Sequence, residues 1–309
     1  MIVEKRPLVA VIVGPTAAGK TRVALELAGR MGGEIVNADS LQVYRELDLG
    51  TAKPTPAERA LVPHHLIDVA DPPDPFDAAR YQREGRKVLA ALHARGTPPL
   101  VVGGTGLYIK ALLYGLFEEG REDPQVRRRL RHELAGEGLA ALQARLQDQD
   151  PATAARISPG DTYRILRALE VLAATGKPLS EQVAAHGFKD SPYRALKLGL
   201  TLPREELYRR IEARVDAMLE MGWLEEVRSL LSRHPRDLKP LRSLGYRHLI
   251  NCLEGRWGLE EAVQLIKRDT RRYAKRQLTW FKADPEITWF EPGQVEEMAA
   301  RLAGFFDQQ

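Results

Sequence analysis

Eight consecutive residues, Gly14, Pro15, Thr16, Ala17, Ala18, Gly19, Lys20 and Thr21, match G-x-x-x-x-G-K-[ST] at every fixed position. Glycines at this spacing let backbone N–H groups turn inward around phosphate oxygens. A following helix adds the positive end of its dipole, Lys20 neutralises charge and Thr21 can hold Mg²⁺. Such a loop reads only an anionic, diphosphate-like group, so a nucleoside triphosphate and another phosphate ester both stay open. Asp39 is the second candidate, in the run Asn37-Ala38-Asp39-Ser40-Leu41-Gln42-Val43-Tyr44. A carboxylate there serves either as the cap of a following helix or as a general base near the phosphate's reacting end. Thr105 is the third. It stands among Gly103, Gly104 and Gly106, small neighbours that either admit a ligand to the backbone or simply make a tight strand-to-helix turn.

Cations form further groups. Arg210 and Arg214 lie four apart on a helix expected from about Arg204 to Met221, flanking the apolar stripe of Leu207, Ile211, Val215 and Met218. Arginines so placed are solvated or form a diphosphate clamp. Lys267, Arg268, Arg271, Arg272, Lys275, Arg276 and Lys282 are opposed in sequence only by Asp269 and interleaved with Tyr273, Trp280 and Phe281. They make either a solvated face or a nucleic-acid surface. Arg127, Arg128, Arg129 and Arg131 are a second cluster. His64 and His65 would point to opposite sides of a strand, which argues against a shared metal.

The elements that must position these groups follow from periodicity. Leu8 to Val13 is a continuous apolar run, the pattern of a strand buried on both faces of a parallel sheet. Val23, Ala24, Leu27, Ala28 and Met31 recur at helical spacing before Gly32-Gly33. Ile35 to Ala38 and Leu100 to Val102 read as further strands, Leu66 to Val69 as a short one, and Leu196, Leu198, Leu200 and Leu202 as a returning strand. Leu107, Ala111 and Leu112 mark one side of a helix after Thr105. The expectation is an α/β fold, a P-loop NTPase-like doubly wound parallel sheet, formed by residues 1–117 and 195–309. Residues 118–194 lose the strand signal and are expected to be a helical insertion. Asp161 should cap one of its helices and Gly176 end it. Leu100-Val101-Val102 runs into glycines rather than a carboxylate, which weakens a motor or switch reading of the loop.

Composition bounds the rest. The chain has 309 residues, 44% hydrophobic and 28% charged, with a formal net charge of +4 that permits a polyanionic partner without demanding one. Cys252 is the single cysteine, which excludes an intrachain disulfide and a cysteine-based zinc site and fits a reducing interior. Met1 to Pro7 carries no signal-peptide pattern, and no apolar stretch approaches bilayer length, so a cytoplasmic protein without membrane contact is expected.

Several segments in order, GPTAAGKT, NADSLQVYRELDLGTAKP, HHLID, GGTGLYIKALLYGL, RIEARVDAMLEMGWLEEV, SLGYRHL and AKRQLTWFK, resemble the bacterial tRNA dimethylallyltransferases, also called isopentenyltransferases. The resemblance implies that the loop from Gly14 to Thr21, with Arg214, binds the diphosphate of dimethylallyl diphosphate rather than of ATP. It implies Mg²⁺ as cofactor at Thr21, Asp39 as general base and Thr105 as its partner beside the reacting centre. It further implies contacts to the tRNA anticodon stem-loop from Asp39, Ser40, Leu41 and Gln42, from Thr105 and Arg127, from Tyr163, Arg164, Ile165, Leu166 and Arg167, and from Arg242, Ser243, Leu244, Gly245, Tyr246 and Arg247. The enzyme is expected to act as a monomer. Ala18 stands where many relatives have Ser, a change that a cradle built from backbone should tolerate. A transferase acting on free adenylate, a small-metabolite kinase and a nucleotide-regulated RNA-binding module are the rival readings.

Overall fold

The structure is a computed structural model and describes residues 6–116, 123–188 and 191–308. Residues 1–5 and the insertion boundary expected at Glu118 lie outside the described residues. The chain divides into two compact units, residues 1–113 with 192–309, and residues 114–191.

The larger unit is built on a six-stranded sheet: β1 (Leu8–Val13), β2 (Glu34–Asn37), β3 (His64–His65), β4 (Pro99–Gly103), β5 (Arg194–Leu200) and β6 (Thr288–Phe290). Its order is β3-β2-β4-β1-β5-β6 and every pairing is parallel. This is the P-loop NTPase-like doubly wound arrangement, and all strand C-termini open on one edge. Its helices are α1 (Lys20–Met31), α2 (Pro56–Leu61), α3 (Ala78–Ala94) and α4 (Gly106–Tyr114). After the insertion come α9 (Arg204–Glu220), α10 (Trp223–Arg233), α11 (Tyr246–Leu253), α12 (Leu259–Lys282) and α13 (Val295–Phe306). Every residue of β1 is buried, as its unbroken apolar run requires. One face carries Leu8, Ala10 and Ile12 against Val23 and Leu27 of α1 and Met298 and Leu302 of α13. Gly32 ends α1 in the left-handed conformation, its N–H donating to the Ala28 carbonyl.

The third strand is His64–His65, pairing with Ile35 and Val36, rather than Leu66 to Val69. Leu66 and Asp68 both adopt positive φ, 61° and 57°, and Asp68 is drawn into ion pairs with Lys53 and Arg59, so no strand forms there. Leu107 is exposed, and α4 instead buries Tyr108, Ile109, Ala111, Leu112 and Leu113. The three-residue β6 and the capping of α2 by Thr55 were not anticipated from periodicity.

The smaller unit contains α5 (Pro124–Gln149), α6 (Pro151–Ala154), α7 (Thr162–Thr175) and α8 (Leu179–His186), with no strand among its described residues. Gly138, at φ 80° and ψ 169°, breaks α5 into two helical stretches. Leu130, Leu142, Leu146, Ile165 and Leu169 form the core of this unit. Asp161 caps α7 by accepting from Arg164 N–H, and left-handed Gly176 closes it.

Candidate active site

The strand order decides which loops meet. β4 lies between β1 and β2, so the loop after β1 and Asp39 after β2 open on the same edge, two strand spacings or about 10 Å apart. Both line one cavity of about 1040 Å³, along with Arg210, Arg214, Tyr273 and Gln277.

The loop from Gly14 to Thr21 is shaped for an anion. A Cβ on Gly14 would sit 2.6 Å from the Leu200 carbonyl oxygen, so only glycine lets β1 leave the sheet here. Ala17 at φ 65° and Gly19 at φ 90° are left-handed, the alternation that turns successive N–H groups to one side. Among the described residues the N–H groups of Ala17, Gly19, Lys20 and Thr21 have no hydrogen-bond partner. The first turn of α1 holds no acidic side chain to offset its dipole. Lys20 folds over the loop, donating to the carbonyls of Gly14 at 2.9 Å and Pro15 at 2.7 Å. Burial, helped by the neighbouring Arg214 and opposed by Asp39, pushes the Lys20 ammonium down to about 7. Arg214 donates to the Thr16 hydroxyl at 3.3 Å, and burial lowers its pKa while Asp39 raises it. Beside the loop, Lys20 and Arg214 act electrostatically on one another and on Asp39, two cations to one carboxylate, a local field that favours a polyanion. Arg210 lines the cavity too but pairs with Glu206 at 2.6 Å.

Asp39 caps no helix. Its Oδ1 accepts from Leu41 N–H at 2.9 Å and Gln42 N–H at 3.3 Å in a turn, leaving the other oxygen without a hydrogen-bond partner among the described residues. The carboxylate also acts electrostatically on Tyr108 and Tyr273, both of whose hydroxyls are pushed up, mainly by burial. Thr105 lies beside this turn rather than in the cavity lining, and its hydroxyl oxygen accepts from Ser40 N–H at 3.0 Å. The glycines around Thr105 do not adopt positive φ; they are required by close approach. A Cβ on Gly103 would lie 2.2 Å from the Ala38 carbonyl oxygen, one on Gly104 2.2 Å from Gln277 Nε2, and one on Gly106 2.0 Å from Trp280 Nε1.

Three positions not singled out from the sequence shape the cavity. Gln277 hydrogen-bonds both the first loop and the turn before Thr105. Lys53, almost fully buried, donates to the Tyr44 carbonyl at 2.8 Å, to Asp48 at 2.5 Å and to Asp68 at 2.7 Å. Glu226 accepts the N–H groups of Asp48, Leu49 and Gly50 at 3.0, 2.7 and 3.3 Å and the Tyr246 hydroxyl at 2.7 Å. Tyr246 is thus a core residue that steadies a cavity wall, and Gly245 is likewise buried. Arg242 and Arg247 are exposed.

In the smaller unit Ile165 is buried in the core, Tyr163 and Arg164 are exposed, and Arg127 pairs with Glu170 at 2.8 Å. The basic stretch on α12 is less naked than its sequence implies. Besides Asp269, Asp216 of α9 pairs with Lys267 and Glu212 of α9 pairs with Arg271. Lys275, Arg276 and Lys282 remain exposed.

The chain matches the IPP transferase family over residues 42–284, and an isopentenyl transferase model over residues 7–64. It is 56% identical to a tRNA dimethylallyltransferase of Syntrophobacter fumaroxidans over 295 residues, 95% of this chain and 86% of that one. It is 50% identical to one of Geobacter metallireducens over 305 residues, 98% of this chain and 99% of that one. Among solved structures, a tRNA isopentenylpyrophosphate transferase of Bacillus halodurans superposes with a TM-score of 0.74 at 40% identity, covering 98% of each chain. A eukaryotic dimethylallyltransferase acting on tRNA gives 0.81 at 28% identity, covering 96% of this chain and 77% of that one. With a family match across most of its length and relatives at half identity or better, the chain belongs to the IPP transferase family, that of the tRNA dimethylallyltransferases.

Proposed function

We propose that the protein transfers the dimethylallyl group of dimethylallyl diphosphate to N6 of the adenosine 3′ of the anticodon in tRNA. The observation that carries this reading is the shared cavity. The anion-shaped loop with Lys20 and Arg214 and the Asp39 carboxylate line one space, wide enough for an allylic diphosphate and a purine.

An adenine N6 is a weak nucleophile, so orientation and leaving-group stabilisation must supply most of the rate. The N6–C1 bond forms as the C1–O bond breaks, and the bonding pair leaves with the diphosphate. Lys20, Arg214 and the N–H groups of Ala17, Gly19, Lys20 and Thr21 receive the charge that develops there. Asp39 takes the N6 proton, its carboxylate already held by Leu41 and Gln42 N–H. No cluster of three carboxylate, histidine or cysteine side chains suited to a metal occurs among the described residues. That fits Mg²⁺, which binds few protein groups and prefers substrate phosphate oxygens; Thr21 would hold it, and it would neutralise the leaving diphosphate. The target base must leave its stack to enter the cavity. The exposed Tyr163, Arg164, Arg128 and Arg131 of the helical unit suit stacking and phosphate contacts, as do Arg242, Arg247, Lys275 and Arg276 of the larger one. No helix among the described residues is long and apolar enough to cross a membrane; the proposed substrate, tRNA, would put the reaction in the cytoplasm.

Incubating the protein with dimethylallyl diphosphate, Mg²⁺ and unmodified tRNA, then weighing the nucleosides by mass spectrometry, tests the proposal. Prenylated adenosine in tRNA, with none formed from free AMP, is the expected result. Transfer to AMP alone, or ATP consumption without transfer, contradicts it.

A further inference from the structure

Gln277 lies on α12, 6% exposed, and lines the cavity. Its carboxamide uses both poles. Oε1 accepts from the Thr16 N–H at 2.8 Å, and Nε2 donates to the Gly104 carbonyl at 3.0 Å. Thr16 belongs to the anion loop and carries Arg214 on its hydroxyl. Gly104 precedes Thr105, whose hydroxyl holds Ser40 beside Asp39. One neutral side chain therefore stands at the junction of two chains of contact, one ending at the diphosphate-binding cations and the other at the carboxylate.

We infer that Gln277 is a positioning residue that sets the separation between the leaving-group loop and the Thr105–Asp39 side of the cavity; this rests on the function proposed above. Only a group that both accepts and donates satisfies Thr16 N–H and Gly104 C=O together. A carboxylate at this position would accept from Thr16 but oppose the Gly104 carbonyl, and it would add a negative charge beside the bound diphosphate. A protonated carboxyl restores both bonds without charge. The seat admits nothing bulkier on the facing side, since a Cβ on Gly104 would reach within 2.2 Å of Nε2. Displacing one reactant by a fraction of an ångström in an in-line transfer lowers turnover more than binding, because alignment matters only as bonds change.

The test compares Gln277→Leu and Gln277→Glu with the wild type in three measurements: kcat and KM for dimethylallyl diphosphate at saturating tRNA across pH 6 to 8, calorimetric affinity for inorganic diphosphate with Mg²⁺, and thermal melting. Lys20, Arg210, Arg214, Asp39 and Tyr273 line the same cavity, so each variant's rate is expressed as a ratio to wild type at the same pH. Gln277→Leu is expected to lose about tenfold or more in kcat with a smaller change in diphosphate affinity, and its ratio should not vary with pH. Gln277→Glu is expected to match that loss at pH 8 and bind diphosphate more weakly there, and both defects should shrink toward pH 6 as the carboxyl protonates. A Gln277→Leu variant with wild-type kcat overturns the inference, as does a Gln277→Glu ratio as flat with pH as that of Gln277→Leu. Should Gln277→Leu fail to fold, the pH course of Gln277→Glu decides alone. A wild-type protein that binds diphosphate but transfers nothing contradicts the proposed function, whereas wild-type transfer with an unaffected Gln277→Leu contradicts this inference only.

Discussion

The hydroxyl oxygen of Thr105 accepts the backbone N–H of Ser40 at 3.0 Å, joining the turn after β4 to the turn after β2 across 65 residues of sequence. Asp39 is held in the same turn, so the orientation of its carboxylate depends on this bond. Thr105→Val keeps the shape and removes the acceptor. It is expected to lower the kcat of tRNA prenylation by about tenfold or more, while Thr105→Ser stays near wild type. Equal rates for the Val and wild-type enzymes would remove Thr105 from this role.

Gly103 brings β4 so close to β2 that a Cβ would lie 2.2 Å from the Ala38 carbonyl oxygen. Because that neighbour is backbone, it cannot rotate aside. Gly103→Ala should lower unfolding free energy by about 1–3 kcal/mol and reduce turnover with it. Chemical denaturation monitored by circular dichroism measures the first effect, and an unchanged midpoint would contradict the packing described.

Burial and the neighbouring Arg214 push the Lys20 ammonium down to about 7. A bound diphosphate favours the ammonium and raises that pKa. At pH 8, binding should therefore take up a proton, approaching one per site, and affinity should fall as pH rises through the bound-state pKa. Calorimetry in buffers of differing ionisation enthalpy reads the uptake, and Lys20→Met should abolish it.

Thr21 lies in the first turn of α1 and lines the cavity. Thr21→Ala should weaken diphosphate binding in millimolar Mg²⁺ and have little effect when the metal is chelated. The same loss in both conditions would assign the hydroxyl to the diphosphate rather than to the metal.

Much of this site was legible in the sequence because its parts are local. A glycine-lysine-threonine loop between an apolar strand and an amphipathic helix needs only neighbours in sequence to form, and Asp39 needs only the end of β2. What sequence concealed was the product of long-range contact. Gln277 falls in the buried stripe with Ala274 and Phe281, and a polar residue in that register was the one local hint that it bonds something inside. The glycines at 103, 104 and 106 read as turn residues, whereas their necessity comes from Ala38, Gln277 and Trp280, which are far away in the chain or in the next strand. The basic stretch of α12 read as nearly unopposed because Glu212 and Asp216, which neutralise two of its cations, sit on another helix. Leu66 to Val69 has strand composition, but the ion pairs of Asp68 with Lys53 and Arg59 bend it away from the sheet.

The Asp39 carboxylate and the anion loop line one cavity, and in the proposed reaction that carboxylate takes the proton from the attacking amine. Turnover of Asp39→Ala at saturating dimethylallyl diphosphate and tRNA, with tRNA affinity measured alongside, tests it most directly. A kcat lower by about 10² to 10⁴-fold with tRNA binding retained is expected. Wild-type turnover in that variant would contradict it.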